Sequence, residues 1–202
     1  MPRKIPGLEE KIIQTACQLF VEKGFSEISM KDVAALVGTS VGNLYNYYPS
    51  KKDLFLAGRK LWTERFRADF LSLEAGGADP RQTLDILLTR IMDTLETWAG
   101  LWEEFLASAN RELKPDEIKF LLASMRQESR STLIEPLDKL LRQVCVGNAH
   151  LERLLAVPDL RFATSILSTI KMLIRLYPNQ KADNRAFIGA LIDLKTHAQK
   201  ED

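Results

Sequence analysis

The chain has 202 residues, 46% of them hydrophobic and 27% charged, a balance that excludes wholesale disorder and suits one moderate domain or a small one joined to a larger one. No apolar run approaches the roughly 18 residues of a membrane span, the first residues lack the apolar stretch of a secretory signal, and Cys17 and Cys145 are too few for a disulfide framework and too far apart for a metal knuckle. A cytoplasmic protein is the expectation. The net charge of +1 hides an asymmetry: residues 1–60 carry nine Lys and Arg against six acids, the remainder nineteen against twenty-one. A basic N-terminal part fits a polyanionic partner for that part alone, although an ordinary solvated surface also produces such imbalances.

Helical spacing recurs along the chain and no stretch alternates like a strand, so the fold class is all-α. A first helix is predicted over Leu8–Lys23, with Ile12, Ile13, Ala16, Cys17 and Phe20 on one stripe and Gly24 placed to end it in a left-handed conformation. Cys17 on that stripe reads as a small core residue. Ser29, with Asp32 three residues on, caps a short helix over Met30–Val37, which Gly38 breaks. A second short piece, Ser40 to Tyr48, stops at Pro49. Ser50 with Asp53 repeats the cap and opens a longer helix to about Leu73, followed by a loop over residues 74–80.

Further helices are predicted from Pro80 to about Trp98, from about Leu101 to Leu113, and from Pro115 to Val144, where Pro136 should kink or divide the pattern. Leu151–Val157 reads as an extra turn, and the last helices as Pro158–Tyr177 and Asn184–Gln199. The organisation read from this is a small three-helix domain over residues 1–54 and a larger helical domain over 55–202.

Residues 30–48 are the informative stretch. Two helices meeting steeply across a three- or four-residue turn need a small residue where one passes under the other, a glycine in the turn, and apolar residues beneath both. Ala34 supplies the first, Gly38 the second, and Val33, Val37 and Leu44 the third. The spacing predicts a helix-turn-helix.

At these residues the sequence resembles a known family. Phe20-x3-Gly24-Phe25, Ser29-Met30-x2-Val33-Ala34 and Gly38-x-Ser40-x-Gly42-x-Leu44-Tyr45-x-Tyr47-Tyr48-x-Ser50-Lys51-x2-Leu54 are similar to the N-terminal domain of TetR-type transcriptional regulators, over roughly residues 8–56. Thr39 stands where an aliphatic residue is usual, and Tyr47-Tyr48 replaces a commoner His-Phe pair. The rest of the chain agrees with that family in being helical and of the expected length.

A recognition helix lays its N-terminal residues against base edges in the major groove, here Thr39, Ser40, Val41, Gly42 and Asn43. Asn43 suits a bidentate pairing with adenine, and Val41 suits a thymine methyl. Tyr45, Asn46 and Tyr47 extend past the base edges toward phosphates. Lys51 is placed to neutralise a phosphate, as are Ser29 and Lys31 from the other side. Arg3 and Lys4 read as a minor-groove arm or as a solvated tail.

One helix pair buries too little surface to hold a half-site well, and two recognition helices about 34–36 Å apart on a pseudo-palindrome answer this. Phe162, Ile166, Ile170, Leu173 and Tyr177, then Ile188, Leu191, Ile192 and Lys195, are spaced as stripes on the last two helices. Periodicity alone leaves open whether they close a core or a homodimer; the resemblance implies a four-helix dimer bundle. The middle helices carry Trp62, Phe66, Phe70, Ile91, Leu95, Trp98, Trp102, Phe105, Phe120 and Met125. The aromatic ones read as core, whereas the resemblance implies an apolar ligand cavity in this region; Glu96, Glu103 and Glu104 near the tryptophans read first as a solvated face, with a cationic ligand as the alternative.

No phosphate loop, nucleophile elbow or metal-ligand spacing appears, His150 and His197 stand apart from any cluster, and Cys145-x4-His150 spans a Gly-Asn break. No catalytic residue, metal or cofactor is expected, so the chain reads as no enzyme. The expectation is a homodimeric repressor that binds double-stranded DNA and is released by a small apolar or amphipathic effector. A helical interaction or ligand-binding module that no longer uses DNA is the alternative.

Overall fold

A computed structural model describes residues 5–77 and 79–193. These form ten α-helices: α1 Leu8–Lys23, α2 Met30–Val37, α3 Val41–Tyr47, α4 Lys51–Ala75, α5 Pro80–Glu112, α6 Pro115–Ser129, α7 Glu135–Val144, α8 Ala149–Leu155, α9 Arg161–Leu176 and α10 Lys181–Asp193. No strand occurs among the described residues. The chain divides into two compact units, one of residues 1–67 with 97–121, the other of residues 68–96 with 122–202. Helices α4 and α5 therefore supply residues to both, and residues 97–121 join the N-terminal unit although they lie far beyond residue 54.

Local chemistry sets the helix ends of the N-terminal unit. Ser29 accepts from the Asp32 amide at 3.2 Å while the Asp32 carboxylate accepts from the Ser29 amide at 2.8 Å, a reciprocal cap. Hydrogen bonds from the Ser29 hydroxyl and then from its amide hold the exposed Asp32 carboxyl below its usual range. Gly38, at φ 78 and ψ 36, closes α2, and its amide bonds back to Ala34. Gly24 ends α1 at φ 89 but with ψ 158, so the chain leaves that helix extended rather than in a left-handed turn.

Phe20, Phe25, Phe55 and Phe105 are fully buried at the centre of this unit. The Phe55 ring stacks on Phe105 at 4.7 Å and meets Phe25 edge-on at 5.1 Å. Trp102 stacks on Phe105 at 5.0 Å, and Trp98 meets Phe55 at 5.7 Å. Offset and edge-to-face contacts of this kind contribute about 0.5–1.5 kcal/mol per pair beyond burial.

Of two predicted breaks, the structure lacks one and has the other. The helices read as 80–98 and 101–113 are one helix of 33 residues, α5, which runs through Gly100. A single interior glycine costs about 1 kcal/mol, less than the packing of Trp98, Leu101, Trp102 and Phe105 on one continuous face supplies. The pattern from Pro115 to Val144 does divide near Pro136. A π-helical turn, Arg130–Ile134, separates α6 from α7, and the Glu135 amide reaches back to the Arg130 carbonyl. Proline has no amide and its ring crowds the carbonyl four residues back; the wider turn lies just before that point.

Within the second unit, Ile91, Leu137 and Ile170 are fully buried. Asp138, 6% exposed, pairs with Arg142 at 2.7 Å, and Arg142 also donates to the Leu155 carbonyl. Asn184 lies in the first turn of α10 and donates to the Tyr177 carbonyl at 3.0 Å. Helix α9 starts at Arg161 rather than Pro158, because Asp159 and Leu160 both have positive φ.

Candidate nucleic-acid interface

The turn between α2 and α3 is built from the residues the sequence singled out. Val33, Ala34, Val37 and Leu44 are buried beneath it. Ser40 caps α3 by accepting from the Asn43 amide at 3.1 Å. The Asn43 side-chain amide donates to Thr39 Oγ1 at 2.9 Å. That bond uses one of its two amide hydrogens, so the other and the carbonyl oxygen suit a bidentate contact with adenine. Thr39 thereby orients Asn43. Ser40, Gly42, Tyr45 and Asn46 are exposed and Val41 is half-buried, while Lys31 is exposed on α2 close to the capped Ser29. Of the expected set, Val41 to Tyr47 lie on α3, Thr39 and Ser40 just before it, Lys31 on α2 and Lys51 on α4.

Two of the expected phosphate contacts have other work. The Lys51 ammonium donates to the Phe25 and Ile28 carbonyls, both at 2.7 Å, and to Ser26 at 3.4 Å, and it lies 4.4 Å over the Phe25 ring. Its three hydrogens hold the α1–α2 connection, and burial lowers its pKa from the ordinary lysine value. The Tyr47 hydroxyl accepts from the Ile5 amide at 2.8 Å. Tyr48 is buried and its hydroxyl faces Glu9 at 3.5 Å; burial, then the Glu9 charge, push its pKa up to about 12.

Lys11 and Leu36, both outside the sequence reading, and Glu104, read there in another role, shape this region. Lys11 donates to the Val37 carbonyl at 2.9 Å and so closes the C-terminus of α2. Leu36, 62% exposed, stands off the stripe of Met30, Val33, Ala34 and Val37. An apolar residue on the wrong face of an amphipathic helix was the readable signal for it. Glu104 accepts from the Ser26 amide at 2.7 Å, and its oxygens lie 3.0 and 3.2 Å from where a Cβ on Gly24 would stand. That carboxylate holds the α1–α2 connection.

The proposed effector residues scatter. Phe105 and Ile91 are fully buried core, and Phe66 and Phe70 are nearly so. Trp98 and Trp102 pack on Phe55, and Trp62 lies 5.2 Å from Phe66. Leu95 and Met125 are half-buried. Phe120 is 79% exposed, on a helix that buries none of its side chains, and so lines no cavity. A cleft of about 460 Å³ in the second unit is lined by Leu84, Leu88, Val144 and Ile192 with Arg81 and Asp85, and none of the aromatic set reaches it.

The dimer stripe needs a similar correction. Ile166, Ile170, Leu173, Ile188 and Ile192 are buried within the chain; Phe162 and Leu191 are half-buried. Of the expected set Tyr177 is exposed, and the exposed apolar residues here are Met172, Leu176, Tyr177 and Phe187. Arg3, Lys4, Lys195 and His197 lie outside the described residues. Cys145 is buried while His150 is exposed. Among the described residues no three His, Cys, Asp or Glu side chains assemble as a metal site requires.

A capped second helix with exposed polar residues at its start, set across a glycine turn on a buried first helix, is a helix-turn-helix DNA-binding domain. Residues 12–57 match the family described as bacterial regulatory proteins, tetR family, and it is this N-terminal domain that is similar to that family. It is 23% identical over 141 residues to the HTH-type transcriptional repressor KstR2 of Rhodococcus jostii, covering 70% of this chain and 63% of that one. Across the curated relatives the matched stretches span 29% to 63% of their lengths. A TetR transcription regulator from Haloarcula marismortui superposes with a TM-score of 0.68 at 18% identity, over 94% of this chain and 98% of that one. Thermus thermophilus FadR, solved in complex with lauroyl-CoA, superposes with a TM-score of 0.54 at 20% identity, over 91% and 92%.

Proposed function

We propose that the chain is a transcriptional repressor that binds a pseudo-palindromic operator as a homodimer and leaves it when a small apolar or amphipathic ligand binds the C-terminal helices. The observation that carries the DNA reading is the exposed N-terminal edge of α3, where Thr39 presets the Asn43 amide next to Ser40, Val41 and Gly42. Base contacts read sequence, and Tyr45 and Lys31 supply phosphate contacts that fix the register. Dimerisation uses the exposed apolar residues Met172, Leu176, Tyr177 and Phe187 of α9 and α10, in place of the buried stripe. The bound lauroyl-CoA of the FadR relative supports an amphipathic effector. Such a ligand works only through unequal affinity for two arrangements of the chain, and a 100-fold change in DNA affinity corresponds to about 2.7 kcal/mol of coupling. No helix among the described residues is long and apolar enough to cross a membrane, and the cytoplasm is the proposed compartment.

The test is a fluorescence-anisotropy titration of the purified chain against its own upstream intergenic DNA, with a scrambled duplex as control. Preferential binding that weakens steeply with salt is the expected outcome. Equal, salt-insensitive failure on both duplexes overturns the DNA reading and favours an interaction module.

A further inference from the structure

The bond between Asn43 and Thr39 crosses from one helix of the pair to the other. Thr39 belongs to the end of α2: its amide donates to the Ala34 carbonyl at 3.0 Å, beside the bonds from Gly38 to Ala34 and Ala35. Asn43 belongs to α3 and is held twice, by its backbone amide on Ser40 Oγ at 3.1 Å and by its side-chain nitrogen on Thr39 Oγ1 at 2.9 Å. Both residues are half-buried. A side-chain amide can present either of two faces. With its nitrogen turned inward it shows the groove an oxygen beside one hydrogen; with its oxygen inward it shows two hydrogens. In the major groove adenine offers a donor and an acceptor, N6–H and N7, whereas guanine offers two acceptors, O6 and N7. The first face complements adenine and the second complements guanine. The structure holds the first.

We propose that Thr39 is a positioning residue that decides a base it does not touch: by keeping the Asn43 nitrogen inward it makes one position of each operator half-site adenine rather than guanine. The proposal rests on the regulator reading above and adds which side chain makes the choice. The local fold does not need this hydroxyl. Gly38 closes α2 and Ser40 caps α3, and an aliphatic residue is usual at this place in TetR-type sequences. What the hydroxyl supplies is an acceptor for the Asn43 nitrogen. An apolar residue of the same shape withdraws that acceptor and leaves the amide free to turn over, so that it meets adenine or guanine equally well. Holding the side chain before DNA arrives also lowers the cost of ordering it on binding.

The experiment selects bound duplexes from a random-sequence library with the full chain as wild type, N43A, T39V, T39A and T39S, each checked for folding by circular dichroism. Fluorescence anisotropy then compares the wild-type selected duplex with the same duplex carrying guanine in place of adenine. Wild type is expected to select adenine at one position of each half-site, with guanine there weakening binding on the order of 10- to 100-fold. N43A identifies the position by losing that preference. T39V and T39A are expected to bind the adenine and guanine duplexes within about threefold of each other, with the preference at every other position unchanged. T39S keeps the acceptor and is expected to keep the wild-type preference. Full adenine preference in T39V and T39A overturns the positioning role, as does a T39S variant that loses it. Loss spread evenly over all positions also overturns it, because it marks a general disturbance of the helix. A wild-type preference for guanine at the position N43A identifies requires the reversed amide and overturns the proposal. So does an N43A variant that selects what wild type selects, while in both cases the regulator reading stands on the selected operator. Wild type that enriches no sequence overturns both.

Discussion

Gly58 and Cys17 mark the closest approach of α4 to α1. A Cβ built on Gly58 would lie 2.5 Å from the Cys17 sulfur and 3.9 Å from an Ile13 methyl. Gly58→Ala is therefore expected to destabilise the chain by about 1–3 kcal/mol, the usual cost of overpacking a core. C17A/G58A should recover most of that loss, and urea denaturation of both variants checks it. The same packing buries the thiol and pushes its pKa from 9.0 up to about 11, which keeps it neutral and unreactive near neutral pH. An acid whose folded pKa is raised favours folding fully below its unfolded value and loses that contribution as pH rises through the folded one. Stability should then decline from about pH 9 upward, and Cys17→Ala should flatten the decline between 9 and 11; melts across that range read it. Lys51 illustrates what a residue type leaves open. Its spacing marks a cation beside the turn, but an ammonium takes whichever acceptors the fold brings to it, and here those are the carbonyls of Phe25, Ser26 and Ile28.

At the scale of single helices, legibility follows how local the deciding chemistry is. The bounds of α1 and α2 agree with the sequence reading to the residue, because Ser29, Asp32, Gly24 and Gly38 act within one turn of the ends they define. The continuity of α5 through Gly100 was not readable, because packing partners remote in sequence outweigh the glycine. A Cβ at Gly100 would meet nothing within 4 Å. Gly100→Ala should accordingly raise stability by about 1 kcal/mol, measured by thermal unfolding. Gly42 is equally open and sits at the start of α3. Gly42→Ala should strengthen that helix by a similar amount and yet weaken operator binding, since on the proposed interface the added methyl would stand where backbone approaches DNA. A melt and an anisotropy titration on the same sample are expected to move in opposite directions. Parallel movement would take Gly42 out of the interface.

For the whole chain, periodicity reported that α9 and α10 carry apolar stripes but not what covers them. Ile166, Ile170 and Leu173 point into the second unit, so the stripe that reads best as an interface is core. The surface left over, with Met172 53%, Leu176 60%, Tyr177 48% and Phe187 50% exposed, is the one a second copy would have to cover. That separation makes dimerisation testable without disturbing the fold. L176E/F187E places two charges on the exposed face, where each stays hydrated in the monomer, so its thermal unfolding should remain cooperative. Burying those charges in an apolar interface would be costly, so sedimentation is expected to report a monomer for this variant and a dimer for the parent chain. A monomer reaches one half-site at a time, and affinity for an operator selected with the parent chain should fall by 100-fold or more (about 2.7 kcal/mol). Ile170→Glu is the control on the buried face and should unfold the second unit outright. If L176E/F187E stays dimeric and binds as the parent does, another surface joins the two copies.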